Sequence, residues 1–198
     1  IGVLYFLSGD LINSRFFLED AIARARESDD SLTLARGLRI LGIVYEERTE
    51  FAKALEYIGE ASAIYTRLNH ESGMADCFIS LGVMHQRQSD HKQASEYYHS
   101  ALKISERLGN QRQIYALYNN LAALYNSKQE HDSANLYYRK AFDLAKETTD
   151  LMSMRKAMAN MGNTYLQQGQ YRKAIDLISV AFEIVKENSP NYGSSIYY

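Results

Sequence analysis

Side-chain amides are the chemistry this sequence concentrates. Asn119, Asn120, Asn126, Asn160, Asn163, Gln167 and Gln168 gather in one stretch, with Lys156 about one helical turn before Asn160 and Asn163 one turn after it. Each amide carries a donor and an acceptor, so a row of them can pair with the main chain of an extended peptide whatever its sequence. The same residue types also make an ordinary solvated face, since asparagine has no strong preference for a helix. A second set is charged: Arg36, Arg39, Asp76 and Arg87 alternate with Ile40, Ile43, Ile79 and Val83, a mixed and partly apolar surface. Lys156 with Asn160 makes only part of a carboxylate site, because that group is best held by converging cations and amides.

Catalytic and metal chemistry find no comparable set. His70, His85, His91, His99 and His131 include no two-histidine pair at i, i+4 spacing, and metal ligation needs convergent ligands. Cys77 is the only cysteine, which excludes an intrachain disulfide and a thiolate metal cluster, and no sequence-local base marks it as a nucleophile. A Gly-rich phosphate loop, a nucleophile elbow and a zinc-helix motif are all missing. The expectation is a protein with no enzymatic activity, no cofactor and no metal.

The elements that must position these side chains come from one repeated unit. Leu121, Ala122, Tyr125, Ala134, Tyr138 and Ala141 become Met161, Gly162, Tyr165, Ala174, Ile178 and Ala181 further along, and Leu81, Gly82, His85, Ala94, Tyr98 and Ala101 further back. The series continues through Leu41, Gly42, Tyr45, Ala54, Ile58 and Ala61 to Ile1, Gly2, Tyr5, Ser14, Leu18 and Ala21. With Ala35, Ala75, Tyr115 and Arg155 as position 1 of copies two to five, positions 4, 7, 8 and 11 are apolar or small, the spacing of a helix, A. Positions 17, 20, 24, 27 and 28 give a second helix, B. Polar breaks separate them at Glu47 to Glu50, Arg87 to Asp90, Ser127 to Glu130 and Gln168 to Gln170. Acidic residues close the break in four copies, Asp10, Glu50, Asp90 and Glu130, and carboxylates suit a helix start, with Asp the better cap. Links such as Asn69 to Gly73 and Gly109-Asn110 lead into the next hairpin.

A hairpin of this size cannot bury both apolar faces alone, so stacking on neighbours supplies the core. The small column Gly2, Gly42, Gly82, Ala122 and Gly162, with Ala54, Ala94, Ala134 and Ala174, lets A and B approach closely. Ala61, Ala101, Ala141 and Ala181 admit the next hairpin. Of the doublets Tyr97-Tyr98 and Tyr137-Tyr138, one ring is expected to pack and the other to lie near the surface. On helix A, positions 2, 5, 6, 9, 12 and 13 fall on the side away from the core; that side holds the charged set in copies two and three and the amides in copies four and five.

This signature resembles the tetratricopeptide repeat, in nearly the whole chain. The resemblance implies an all-α fold, an α-solenoid in which helix-turn-helix units stack into a right-handed superhelix with a concave groove. It also implies that Asn120 and Asn160, both at position 6, form the kind of asparagine ladder with which this family holds peptide backbones. The period here is 40 residues against a usual 34, with the additional residues falling in the link and the helix ends. Longer units of this kind resemble those of bacterial peptide-pheromone receptors and of scaffold proteins in polarity and motor complexes. His85 stands for the usual Tyr, Ser14 for the usual Ala, and the customary Pro near position 32 is absent.

The expected organisation is one array over 1–198: a partial repeat 1–34, repeats 35–74, 75–114, 115–154 and 155–194, and the start of a sixth at 195–198. Both ends read as cuts through a longer protein. With 22 Lys plus Arg against 24 Asp plus Glu, a net charge of -2 gives no general attraction for nucleic acid or anionic membranes. No apolar run is long enough to insert in a bilayer. A lone thiol is compatible with the cytosol, the favoured compartment, and with the periplasm. The expected partner is a protein or an extended peptide held in the groove, with self-association through exposed end repeats as a further contact. The alternative is a ligand-sensing regulatory segment of a longer signalling protein, a kinase or transcription regulator, whose output domain lies elsewhere.

Overall fold

The local chemistry of the links sets the architecture seen in the computed structural model, which describes residues 1–187. The expected sixth copy at 195–198 lies outside the described residues. Among the described residues the helices are α1 (Gly2–Leu7), α2 (Leu11–Glu27), α3 (Ser31–Glu47), α4 (Phe51–Arg67) and α5 (Glu71–Arg87), then α6 (His91–Arg107), α7 (Gln111–Ser127), α8 (His131–Glu147), α9 (Leu151–Gln167) and α10 (Tyr171–Glu187). Three residues separate each helix from the next, and the middle one has a positive φ: Gly9, Gly109 and Gly169, but also Asp29, Thr49, Asn69, Ser89, Gln129 and Thr149. In the α3–α4 link the Thr49 N–H donates to the Glu46 carbonyl (2.8 Å) and the Glu50 N–H to the Tyr45 carbonyl (2.9 Å), which closes the helix end.

The last link residue starts the next helix. Asp10, Asp30, Asp90, Asn110, Asp150 and His70 each accept a bond from the backbone N–H three residues on. Glu50 and Glu130 make no such bond, because the longer side chain overshoots; they pair with Lys53 and Lys128 instead. The expected link Asn69 to Gly73 is shorter than its composition suggested. Glu71, Ser72 and Gly73 already lie in α5, since the His70 ring nitrogen Nδ1 accepts from the Gly73 N–H at 3.0 Å. Gly73 is needed for packing: a Cβ there would run into the buried Tyr65 ring.

Two compact units make up the chain, Ile1–Leu108 and Gly109–Tyr198. Each is all-α, of the α-solenoid class, with hairpins stacked on their neighbours. In the first, α3 pairs with α4, α5 with α6, and α4 packs on α5. Its core runs through Leu38, Leu41, Val44, Ile58, Tyr65, Cys77, Leu81 and Met84. In the second, α7 pairs with α8, α8 packs on α9 and α9 pairs with α10, around Ala122, Ala134, Tyr138 and Met161.

The small column does what its spacing implied. A Cβ on Gly42 would stand 2.6 Å from Ile58 Cγ1 and 3.1 Å from the Ala54 carbonyl, and one on Gly162 2.7 Å from Ile178 Cγ1. Ser14, buried where the pattern has alanine, donates its hydroxyl to the Gly2 carbonyl at 3.0 Å. Tyr98 and Tyr138 pack inside, whereas Tyr97 and Tyr137 are half-buried and stack on position 11. The stacked pairs are Tyr5 with Phe17, Tyr45 with Tyr57, His85 with Tyr97 and Tyr125 with Tyr137, at centroid separations of 5.2 to 5.4 Å. His85 fits the tyrosine slot because a flat ring is what the stack requires.

Candidate functional site

Each unit carries candidate residues on its A helices, and the two sets behave differently. In the first unit α3 and α5 touch, and charge is paired between them. Arg39 Nη2 lies 3.9 Å from Asp76 Oδ2. Arg87 Nε is 2.9 Å from Glu46 Oε1, and its Nη2 is 2.6 Å from Glu47 Oε1. Glu46 is buried, which raises its carboxyl above the ordinary range while the Arg87 charge acts against that rise. Arg36 is exposed. Arg39, Asp76 and Arg87 are thus paired within the protein, while Arg87 and Asp76 remain partly exposed. Helices side by side bring opposite charges together, and these pairs bridge α3 and α5 at the surface.

In the second unit, α7 and α9 are linked by hydrogen bonds. The Asn160 Nδ2 donates to Asn119 Oδ1 at 3.3 Å, and the Asn119 Nδ2 donates to the Tyr115 carbonyl at 2.9 Å. The Tyr115 hydroxyl donates to the Ser153 carbonyl at 2.9 Å, and buried Thr164 donates to the Asn160 carbonyl at 3.1 Å. Burial raises the Tyr115 phenol, and its bonds to Ser153 and Asn119 act the other way. The result is a continuous amide track across two helices.

The partner of Asn160 is Asn119 and not Asn120, its equivalent one repeat earlier. Side chains at equal positions of two parallel neighbouring helices point the same way and stand an interhelix distance apart, about 8 to 10 Å. Only residues on facing edges can meet. Asn120 is half-buried, while Lys156, Asn163 and Gln167 are exposed on the same helix as Asn160. Asn126 goes elsewhere: its Oδ1 is 2.8 Å from the His131 Nδ1 at the α7–α8 link. Hydrogen bonding thus joins Asn119 and Asn160; Asn120 follows Asn119 on α7 without a bond to Asn160, Lys156 and Asn163 lie one turn from Asn160 along α9, and Asn126 is left out. Tyr115, to which the spacing assigned no role, joins the track; the signal was a tyrosine at position 1, where copies two and three have Ala35 and Ala75.

An amide has more donor and acceptor sites than these bonds use, so the track can still pair with a peptide main chain. Cys77 is fully buried, and burial pushes its thiol up to about 12, which suppresses the reactive thiolate. Among the described residues no three His, Cys, Asp or Glu side chains gather as metal ligands, and no helix is long and apolar enough to cross a membrane.

A family model described as a tetratricopeptide repeat matches residues 73–147 and 113–187, together more than half of the chain. No curated protein matches the sequence. Among solved structures, BtubC (BKLC) from P. vanneervenii is 23% identical with a TM-score of 0.78, covering 94% of this chain and 77% of that one. A Rap protein complexed with Competence and Sporulation Factor is 20% identical with a TM-score of 0.81, covering 94% of this chain and 52% of that one. Aspartyl phosphate phosphatase F from Bacillus subtilis is 15% identical with a TM-score of 0.83, covering 94% and 49%. At these identities the likeness is one of fold. The chain spans about half the length of the latter two.

Proposed function

Because this chain belongs to the tetratricopeptide repeat family, we propose that it is a non-catalytic scaffold for a protein or extended peptide, and that the α7–α9 face is its binding surface. The amide track carries this reading. Asn119, Asn120 and Asn160 present donors and acceptors to a main chain, and the bonds from Asn160 to Asn119 and from Asn119 to the Tyr115 carbonyl hold two of the three in one geometry before a ligand arrives, which lowers the ordering cost of binding. Lys156 and Asn163 flank the track and add a cation and a further amide. On this reading Arg39, Asp76 and Arg87 of the first unit bridge α3 and α5, and exposed Arg36 remains for a ligand. The units are those of a long, 40-residue form of the family, forming one array of repeats 35–74, 75–114, 115–154 and 155–194 after a partial repeat 1–34.

A second reading is favoured by the Rap structure solved with a bound factor: a segment that senses a peptide and passes the change to a further domain. Small-angle scattering with and without bound peptide separates the two. Unchanged dimensions support the rigid scaffold, and a change supports sensing.

The binding reading is tested by capturing partners from native extract and titrating them against Asn120→Ala with Asn160→Ala. Affinity is expected to fall by about 1 to 3 kcal/mol, the cost of leaving buried polar groups without partners. The fold should persist, since alanine is the better helix former. Equal affinity for parent and variant, with binding lost instead in Arg36→Ala with Arg39→Ala, would move the site to the first unit.

A further inference from the structure

A cavity of about 530 Å³ opens in the second unit, lined by Gln111, Arg112, Tyr115 and Ala116 of α7, Leu144, Ala145 and Thr148 near the end of α8, and Asp150 and Ser153 at the start of α9. Its size is that of a ligand pocket. The first unit shows what this space can hold, because copy two fills the corresponding place with its own side chain. There position 31 is Tyr65, buried, its ring against Gly73 and 5.3 Å from the His70 ring. In copy four the same position is Ala145, Asp150 replaces His70, and Thr148 and Arg112 replace Leu68 and Leu32. Copy four has moved the aromatic ring from position 31 to position 1, where Tyr115 replaces Ala35 and forms one wall of the cavity, and has made the rim polar.

We propose that this cavity is a side-chain pocket for an aromatic residue, tyrosine or phenylalanine, of a peptide lying on the α7–α9 face; this rests on the function proposed above. Leu144, Ala145 and Ala116 give the ring an apolar bed. Exposed Arg112 at the rim can lie over its face, and Gln111 and Thr148 can meet a phenolic hydroxyl. Ser153 brings a Cβ where Gly73 has none, so the guest ring seats toward Ala116 and Ala145. Asp150 takes no part in recognition: its two carboxylate oxygens accept from the Ser153 N–H (3.1 Å) and hydroxyl (2.7 Å), and those bonds hold its carboxyl low. Tyr115 ties pocket to track, since it lines the cavity while its carbonyl accepts from Asn119. One turn of α7, about 6 Å, separates the two, close to the roughly 6.6 Å between alternate side chains of an extended strand. A peptide pairing its backbone with Asn119 therefore has a side chain in register with the pocket.

The test uses N-acetyl-tyrosinamide, N-acetyl-phenylalaninamide and N-acetyl-leucinamide as probes, with backbone amide shifts of the full chain as readout. The aromatic probes are expected to move the Ala116, Ala145 and Ser153 amides and to bind more tightly than the leucine probe. Ala145→Phe, which restores a ring from within, should weaken the aromatic probes about tenfold or more. Ala116→Leu narrows the cavity from α7 and serves if that variant does not fold. Asn120→Ala with Asn160→Ala should act alike on the aromatic and leucine probes and leave the preference for the aromatic ring in place, whereas filling the pocket removes that preference, so a failed amide track and a failed pocket give different results. Equal binding of the leucine probe, shifts that miss these three amides, or full binding in the filled variants would overturn the pocket.

Discussion

Gly82→Ala tests the close crossing of A and B helices. A Cβ at Gly82 would meet the Tyr98 ring, 2.5 Å from Cδ1 and 3.1 Å from Cζ, against the 3.5 to 4.0 Å or so of a comfortable carbon contact. The ring must retreat by about 1 Å. It is 1% exposed, and its hydroxyl donates to Gln86 Oε1 at 2.8 Å. In copy four, where Ala122 stands in the glycine column, the matching Tyr138 is 7% exposed. Overpacking costs about 1 to 3 kcal/mol and the lost bond about 1, while alanine regains about 1 through helix propensity. The net expectation is a loss of about 1 to 3 kcal/mol. Gly59→Ala is the matched control, for no heavy atom lies within 4 Å of a Cβ there, and it should gain about 0.5 to 1 kcal/mol. Urea titrations followed by far-UV circular dichroism give both values. If the two variants shift in the same direction, the crossing does not constrain position 8.

Thr149 holds φ 55°, which is costly for a β-branched residue, so Thr149→Gly should raise stability by about 0.5 to 1 kcal/mol after the greater freedom of the unfolded glycine is counted; a lower melting temperature would contradict this. Asp150→Ala should cost about 1 kcal/mol near neutral pH through the lost cap. Because the folded carboxyl is held below its ordinary value, that contribution is present above roughly pH 4 and fades as pH falls through the folded pKa; a gap that persists in acid would refute it. Glu46 has the opposite sign: its folded pKa is raised, so the parent loses stability relative to Glu46→Gln as pH rises from roughly 4. Parallel pH profiles for the two would show that the buried carboxylate is not responsible.

The helices, their pairing into hairpins and the glycine column were legible in the order of residues, because these depend on spacing within one short stretch. Apolar residues at helical intervals and a small residue where two axes cross leave few other solutions, and Asp90 opposite Glu130 already distinguished a good cap from a poor one. Contacts between hairpins were not legible there, because they depend on how the helices pack. Equal positions were legible as one face, but that Asn160 meets Asn119, that Arg39 and Arg87 are taken up by Asp76, Glu46 and Glu47, and that Asn126 turns to His131 follow from which edges of parallel helices face each other. The cavity beside Tyr115 is of the same kind. Its walls come from three helices, and its shape depends on Tyr115 and Ala145 standing where copy two has Ala35 and Tyr65, an exchange that acquires meaning only when the neighbours of all four residues are in place.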